Sequence, residues 1–142
     1  MAAMQYTVIA GCGRLGSLLA GDLSKQGHSI VVIDRDETRF TNLSIEFSGF
    51  TIAGDVVELE ILQRAKVDRA DCFLATTNDD NVNLMVAQVA KAVFQVPVVI
   101  ARLFNPAREA VYRELGVATI SPTKLSADAF LHSIQTSNQS QV

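Results

Sequence analysis

The stretch Tyr6–Gly16, which reads YTVIAGCGRLG, decides the fold of this chain. Its first five residues are mostly β-branched or apolar, and they predict a buried strand that stops at a glycine. Apolar residues then recur at helical spacing from Leu15 to Leu23, and Gly27 ends that helix. The stretch is therefore predicted to pass from a strand through a glycine-rich turn directly into a helix.

The same alternation of short apolar runs and helical segments continues along the chain. Further strands are predicted at 30–33, 50–53, 72–75, 98–101 and 118–120. Helices are predicted at 37–47, 59–65, 81–94, 106–116 and 122–135. Strands joined by helices pair in parallel, and strands that are apolar throughout need helices on both faces of their sheet. The sequence therefore predicts an α/β, doubly wound Rossmann fold: a six-stranded parallel sheet in the order 3-2-1-4-5-6 with helices on both faces.

Composition narrows the class of protein further. The chain has 142 residues, of which 49% are hydrophobic, and 12 Lys and Arg against 15 Asp and Glu give a net charge of −3. This composition excludes intrinsic disorder and disfavours non-specific binding to nucleic acid. We expect one domain over residues 1–135, followed by a polar tail or linker stub at 136–142. Two cysteines are too few for a disulfide framework, which points to reduced thiols and a cytoplasmic location.

In a doubly wound sheet, ligands bind beyond the carboxyl ends of the strands, where the strand order reverses. The motif G-x-G-x-x-G at Gly11, Gly13 and Gly16 lies between a strand and a helix, the context that a dinucleotide-binding loop requires. Gly13 would let a pyrophosphate approach the backbone, and the helix start at Arg14 and Leu15 would offer amide groups to it. An arginine within the loop also provides a fixed charge beside phosphates.

A carboxylate ends the second strand, at the place where an adenosine ribose would lie. Asp34 follows Gly16 by eighteen residues and is predicted to accept hydrogen bonds from both ribose hydroxyls. It would repel a 2′-phosphate, and Arg35 next to it could offset that repulsion. NADP is therefore disfavoured without being excluded, and a solvated surface charge is the favoured interpretation of Arg35.

Other candidates follow the third, fourth and fifth strands: Gly54, Asp55, Thr76, Thr77, Asn78 and Arg102. Asp55 is expected near the adenine, and it also suits the N-cap of the next helix. Most of the polar run 76–81 suits capping of a long helix, and Asp79 with Asp80 lacks a third metal ligand. Arg102 would face the cleft or form an ion pair at a surface or interface.

A dehydrogenase also needs an acid or base at the reacting carbon. The histidines are His28, in a turn distant from the cleft, and His132, on the last helix; neither tyrosine has a lysine four residues on. No segment remains to build a substrate domain. The sequence therefore predicts a nucleotide-binding domain that senses its ligand and is not an enzyme, the alternative being a small NAD(P)-dependent oxidoreductase or its nucleotide-binding half.

Beyond the glycine loop, an ordered set of motifs is similar to one family. The motifs are Val32-Ile33-Asp34, Gly54-Asp55, Ala70-Asp71, Thr77-Asn78-Asp79-Asp80, Ala101-Arg102, Leu115-Gly116-Val117 and Ile120-Ser121-Pro122. Over Tyr6 to Ile134 the chain resembles the RCK or TrkA-N (KTN) regulatory nucleotide-binding domain of potassium channels and transporters.

The resemblance implies a cytosolic domain that binds NAD(H), ATP or ADP as a regulatory ligand at Gly11, Gly13, Arg14, Gly16, Asp34, Asp55 and Thr77. It also implies homodimers that assemble into a ring beneath a membrane potassium channel or transporter subunit. Some members bind a divalent ion through a glutamate at the position of Thr123, so no metal site is expected here. The last helix, with Leu125, Ala129, Phe130 and Ile134 expected on one apolar stripe, is predicted either to form a dimer face or to pack on its own sheet.

Overall fold

The computed structural model of the chain describes residues 5–140 and contains a six-stranded sheet. Its strands are β1 (Tyr6–Ala10), β2 (Ser29–Asp34), β3 (Phe50–Ala53), β4 (Cys72–Ala75), β5 (Val98–Arg102) and β6 (Ala118–Ile120). All neighbouring strands pair in parallel, in the order β3-β2-β1-β4-β5-β6. The predicted doubly wound topology is confirmed.

Each face of the sheet carries a core, and the described residues form five helices. They are α1 (Arg14–Lys25), α2 (Leu59–Arg64), α3 (Asp80–Ala92), α4 (Glu109–Glu114) and α5 (Pro122–Ser140), with short 3₁₀ turns at Glu37–Asn42, Val67–Arg69 and Pro106–Arg108. Among the described residues, no helix is both long enough and apolar enough to cross a bilayer.

Alternate residues of the central strands enter two separate cores. Val8 and Ala10 of β1 join the core that α2, α3 and α4 cover, whereas Ile9 joins the core beneath α1 and the 3₁₀ turn at Glu37–Asn42. All three side chains are fully buried. This is why consecutive positions of the central strands, such as Val8–Ala10, are apolar and do not alternate with polar residues.

The sheet register places the ends of β1, β2 and β4 side by side. Ala10 pairs with Ile33 of β2 on one side and with Ala75 of β4 on the other. The Gly11 N–H donates to the Ile33 carbonyl at 2.8 Å, and the Thr76 N–H donates to the Ala10 carbonyl at 2.8 Å. The glycine loop therefore begins at the point where the strand order reverses.

The predicted helix at 37–47 is wrong. The structure has a 3₁₀ turn that ends at Asn42, and Leu43 after it is extended. Asp36 starts this turn by accepting the N–H of Thr38 at 3.1 Å. Threonine, asparagine and serine are poor formers of a longer helix, because their side chains compete for backbone hydrogen bonds or lose rotamer freedom.

Helix α5 extends beyond its predicted end at Gln135 and reaches Ser140. No glycine or proline interrupts this polar segment, and the Thr136 hydroxyl donates to the His132 carbonyl one turn earlier, at 3.0 Å. Residues 136–140 of the predicted tail are therefore helical, and 141–142 lie outside the described residues. The division into a domain and a tail stays a prediction.

Two glycines of the loop differ in the space around them, and this difference predicts their effect on stability. A Cβ at position 16 would lie 2.0 Å from the Gly11 carbonyl oxygen, whereas one at position 13 would meet no atom within 4 Å. We expect Gly16→Ala to lower the free energy of unfolding by at least about 1–3 kcal/mol, because a backbone atom must move. Gly13→Ala should change it by less than about 0.5 kcal/mol. Urea denaturation measures both, and equal stability of the two variants would contradict this account of the loop.

Candidate functional site

A cavity of about 500 Å³ lies at the carboxyl ends of the first four strands. Of the predicted site residues, those that line it are Gly11, Gly13, Asp34, Arg35, Gly54, Asp55, Thr76, Thr77 and Asn78. Predicted residues that do not line it are Arg14, Leu15, Gly16 and Arg102. The topology thus brings together most of the residues chosen from the sequence, in one concave site.

The glycine loop approaches the rest of the site more closely than any side chain would allow. Gly11 has φ +104°, and a Cβ on it would lie 3.0 Å from backbone atoms of Thr76 and Thr77. Gly16 packs on Gly11 in the same way, which explains why it lies behind the cavity wall. Gly13 alone faces open space, so that a ligand can reach its backbone.

Helix α1 begins at this loop with backbone N–H groups that are not used in hydrogen bonds. The first backbone bond at its start joins the Ser17 N–H to the Gly13 carbonyl at 3.0 Å, and Gly13 provides no side-chain cap. The N–H groups of Arg14, Leu15 and Gly16 therefore have no acceptor among the described residues. Free amides at a helix N-terminus favour an anion. The exposed side chain of Arg14 and the half-buried side chain of Leu15 lie outside the cavity.

The Asp34 carboxylate is buried, with 8% of the residue exposed, and it holds the glycine loop in place. One oxygen, Oδ2, accepts the N–H of Cys12 at 2.8 Å, and the other, Oδ1, accepts the N–H of Asp36 at 2.9 Å. Each carboxylate oxygen has further lone pairs. Asp34 can therefore bind a sugar hydroxyl while it continues to position the loop.

Arg39 and Asp36 also belong to this end of the cavity, and sequence reasoning missed both. The Arg39 guanidinium lies 4.0 Å from Asp34 Oδ2 through Nη1 and 3.7 Å from Asp36 Oδ2 through Nε. Hydrogen bonds from the Thr38 hydroxyl and N–H lower the pKa of Asp36. The 3₁₀ turn, wrongly predicted as part of a longer helix, brings Arg39 back over the end of β2.

Cys12 within the loop is shielded from solvent behind these groups. Burial, together with the negative charge of Asp34, raises the pKa of its thiol to about 11. Its Sγ donates to the Arg39 carbonyl at 3.4 Å, and Asn42 Nδ2 donates to the Cys12 carbonyl at 3.0 Å. The thiol is thus a packing group held in its neutral form, as predicted for a buried cysteine; Cys72 is only partly buried.

Asp55 does not form the predicted N-cap of α2, because Glu58 occupies that position. Its carboxylate accepts the N–H of Val57 at 3.1 Å, and its carbonyl accepts the N–H of Glu58 at 3.0 Å. Asp55 therefore forms the turn after β3 while it lines the cavity.

The opposite wall of the cavity depends on Asn83, a fully buried residue of α3. Its Oδ1 accepts the N–H of Thr77 at 2.9 Å and the Thr77 hydroxyl at 2.6 Å. Its Nδ2 donates to the carbonyls of Thr77 at 3.1 Å and Arg102 at 3.0 Å. Asn83 thus fixes the loop after β4. It lies three residues beyond the Thr77-Asn78-Asp79-Asp80 motif, and the site prediction left it out.

Arg102 supports this wall from behind instead of facing the cleft. Its Nη2 donates to the carbonyls of Thr76 and Thr77, and its guanidinium lies 4.6 Å from the centre of the Phe104 ring. Burial lowers the pKa of Arg102, and its Nε is buried without a partner among the described residues. The side chain is occupied by backbone carbonyls, and within residues 5–140 it forms no ion pair.

The acidic pair after β4 has structural roles. Asp79 caps α3 by accepting the N–H groups of Asn81 at 2.8 Å and Val82 at 3.2 Å, as predicted. Asp80 accepts the N–H groups of Phe104 at 2.7 Å and Asn105 at 3.0 Å, and so ties the loop after β5 to α3. In the part of the chain that the structure describes, no group of three or more His, Cys, Asp or Glu is placed to hold a metal.

This geometry can be compared with known proteins. A family model described as the TrkA-N domain matches residues 7–122. The chain belongs to the TrkA-N family. The predicted resemblance is confirmed.

Relatives of this TrkA-N chain carry potassium-uptake names. It is 40% identical over 126 residues to the Trk system potassium uptake protein TrkA of Streptomyces coelicolor, covering 89% of this chain and 56% of that protein. It is 33% identical over 123 residues to the TrkA homolog of Methanothermobacter thermautotrophicus, covering 86% and 56%. The chain thus spans about half the length of the curated relatives it matches.

Solved structures share the TrkA-N fold. The GsuK RCK domain aligns with a TM-score of 0.81 at 21% identity, covering 96% of this chain and 29% of that chain. GsuK bound to ADP aligns with a TM-score of 0.72 (87% and 32% covered), and the GsuK channel bound to NAD with 0.69 (84% and 22% covered), both at 18% identity.

Truncation of Asn83 tests the support of this wall. We expect Asn83→Ala to lower the free energy of unfolding by about 2–4 kcal/mol, because several buried hydrogen bonds are lost, each worth about 1 kcal/mol, and a partner group is left unsatisfied. Asn81→Ala on the same helix is the control, since the Asn81 side chain is exposed. Urea denaturation compares the two variants, and a loss no larger for Asn83→Ala than for Asn81→Ala would show that the wall does not depend on this amide.

Proposed function

We propose that this TrkA-N domain binds an adenine nucleotide, NAD(H), ATP or ADP, and thereby regulates a membrane potassium channel or transporter. The observation that carries the proposal is the pairing of a glycine loop open at Gly13 with the buried carboxylate of Asp34, 2.8 Å from the loop amide of Cys12. One part of the cavity suits a phosphate and the other suits a ribose.

The arrangement of donors and acceptors supports a specific orientation of the ligand. The free amides of Arg14, Leu15 and Gly16 would receive the phosphates, because they begin a twelve-residue helix whose dipole favours an anion. Asp34 would accept the ribose hydroxyls. The adenine would then lie towards Asp55 and Val56, which line the cavity after β3, with Arg35 and Arg39 on the side of β2.

The lining of the cavity favours sensing over catalysis. No histidine, tyrosine, lysine or cysteine is among its described lining residues. The acids that line it are all engaged with backbone N–H groups: Asp34, Asp36, Asp55 and Asp79. His28 lies at the amino end of β2, where its Nδ1 accepts the Gln5 N–H at 3.2 Å, and His132 is exposed on α5. A small NAD(P)-dependent oxidoreductase is the alternative, and NADH consumption with a panel of carbonyl substrates would identify it.

The partner would be a potassium channel or transporter subunit, and the domain would act in the cytoplasm at the inner face of the membrane. The names of the TrkA relatives and the channel context of the GsuK RCK domain support this part of the proposal. A ligand that binds one conformation of the domain more tightly than another would shift the equilibrium towards that conformation. The coupling free energy of such a site is typically about 1–3 kcal/mol.

Helix α5 would join two copies of the chain, because it does not pack on its own sheet. Every residue from Thr123 to Gln139 is exposed, so the alternative prediction of packing on the sheet is wrong. The predicted apolar stripe also needs correction, since at about 3.6 residues per turn Leu125 lies half a turn away from Ile134. The residues on one face are Ala127, Phe130, Leu131 and Ile134. Of these, Phe130 is 72% exposed and Leu131 59% exposed, and a second copy would cover them.

Replacement of Asp34 tests nucleotide binding. We expect Asp34→Asn to weaken the binding of both NADH and ADP by about 1–3 kcal/mol, because charged hydrogen bonds to the ribose are lost. Asp22→Asn removes the same charge from an exposed position on α1 outside the cavity and serves as the control. Titration calorimetry measures both affinities, with thermal unfolding in parallel because Asp34 also holds the loop. Unaltered affinity would exclude Asp34 as the ribose ligand, and no binding by the unsubstituted chain would refute the proposed function.

A charge on the exposed face of α5 tests the proposed dimer. We expect the unsubstituted chain to sediment as a dimer or larger assembly and Phe130→Glu to sediment as a monomer, because a buried unpaired carboxylate is costly. His132→Glu places the same charge on the opposite face of the helix, at an exposed position, and should leave the assembly intact. A monomer at high micromolar concentration of the unsubstituted chain would contradict the role of α5.

A further inference from the structure

A second cavity, of about 480 Å³, lies at the amino ends of β1, β2 and β3. It is therefore at the opposite end of the sheet from the nucleotide cavity. Its walls come from the start of β1, the turn between α1 and β2, the start of β3 and the end of α2. The proposed function makes no use of this cavity.

Two cations line this second cavity without a partner. Arg64 and Lys66 are exposed, and neither forms an ion pair or a side-chain hydrogen bond among the residues that the structure describes. No aspartate or glutamate is among the lining residues. Elsewhere, Lys25 pairs with Glu46 at 2.9 Å, and Arg113 with Glu109 at 3.1 Å. Other cations, such as Arg69 and Arg108, also lack an ion pair among the described residues, but at this cavity two lie together with no carboxylate in the lining.

A helix end explains the position of only one of these two cations. Arg64 lies in the last turn of α2, where a cation offsets the helix dipole. Lys66 lies beyond that helix, in the left-handed region at φ 55°, which is uncommon for a residue with a side chain. The chain thus turns sharply there and brings the ammonium group to the same cavity as the guanidinium.

Neutral donors add to the positive charge. Because His28 Nδ1 accepts the Gln5 N–H at 3.2 Å, its ring proton is on Nε2, which is left as a donor. Ser24 Oγ accepts the Ser48 N–H at 3.4 Å, so its hydroxyl hydrogen is free to point elsewhere. Both side chains line the cavity. Charged and neutral donors of this kind suit phosphate and carboxylate oxygens.

Another part of the wall is apolar. Tyr6, Ile30 and Val31 line it from the sheet, and Phe50 lines it from the edge strand β3 with 76% of the residue exposed. An exposed aromatic ring next to a cavity can pack against a flat ligand group. A ligand would therefore need an anionic group to meet the cationic donors and a planar group to pack against the aromatic ring.

We propose that the second cavity binds a small organic anion, a phosphate or a carboxylate, that carries a planar apolar group. Arg64 and Lys66 bind the anionic group, and Phe50 packs against the planar group. This site is separate from the nucleotide site and does not depend on the proposed function.

Amide NMR spectra of the 142-residue chain test this proposal, because they report on each cavity separately. Phenyl phosphate and benzoate are the two anionic probes, inorganic phosphate lacks the planar group, and benzyl alcohol lacks the charge. We expect at least one aromatic anion to shift the amides of Ser29, Phe50 and Lys66 in a saturable way. Benzyl alcohol and inorganic phosphate should bind at least about tenfold more weakly, since each lacks one of the two kinds of contact. The anionic probe that binds more tightly identifies the anionic group.

Variants complete the test. Arg64→Gln/Lys66→Asn should weaken binding of that aromatic anion by about tenfold or more, and asparagine suits the left-handed backbone at position 66. Arg113→Gln/Lys124→Gln removes the same charge from exposed positions outside both cavities and should bind as the unsubstituted chain does. The proposal is overturned if neither anion shifts the three amides, if either control probe binds as tightly, or if the two double variants behave alike. Shifts confined to Gly11 and Gly13 would also overturn it while leaving the nucleotide site intact, whereas a failure of ADP to shift those glycines would count against the proposed function alone.

Discussion

The hydrogen bond from the Cys12 N–H to the Asp34 carboxylate is the contact on which the candidate site depends. It joins the loop after β1 to the end of β2, so the turn that would receive phosphates and the acid that would receive a ribose form one unit. The bond is buried, and a charged acceptor makes it stronger than an ordinary backbone bond. Any movement of β2 relative to β1 at this edge would therefore displace the groups that contact the phosphates and the ribose of a bound ligand.

Side-chain hydrogen bonds to a loop also hold the opposite side of the cavity. Asn83 uses its amide to bind Thr77 through backbone and hydroxyl, and Arg102 binds the carbonyls of Thr76 and Thr77. The buried side chain of Asn83 and the partly buried side chain of Arg102 lie behind this wall and hold it. On this side of the cavity a ligand would therefore meet backbone groups and the side chains of Thr76, Thr77, Asn78, Asp79 and Val82.

Much of this arrangement could be predicted from the sequence, because its signals are local. Apolar runs such as Ile30–Ile33 indicate buried strands, the glycine spacing indicates the loop, and their order indicates a parallel sheet. The structure places predicted site residues differently from expectation where their positions depend on contacts between distant segments. Arg102 follows a strand end as a ligand-binding residue would, yet the backbone carbonyls of β4 take its donors. Arg39 was missed because the length of its helical turn depends on weak local preferences.

The last helix shows a second limit of prediction from the sequence. Its apolar residues predicted that it would be covered, and no local signal told whether the cover would come from its own sheet or from another molecule. In the structure it leaves the sheet at Pro122 and continues for 19 residues.

Nineteen residues at about 1.5 Å each make α5 a rod of about 28 Å whose residues from Thr123 to Gln139 are exposed. A tilt of about 10° at Pro122 would displace its far end by about 5 Å, since arc length grows with the length of the rod. A rotation at Pro122 that is too small to disturb the packing of the sheet would therefore move the far end of α5 by several ångströms.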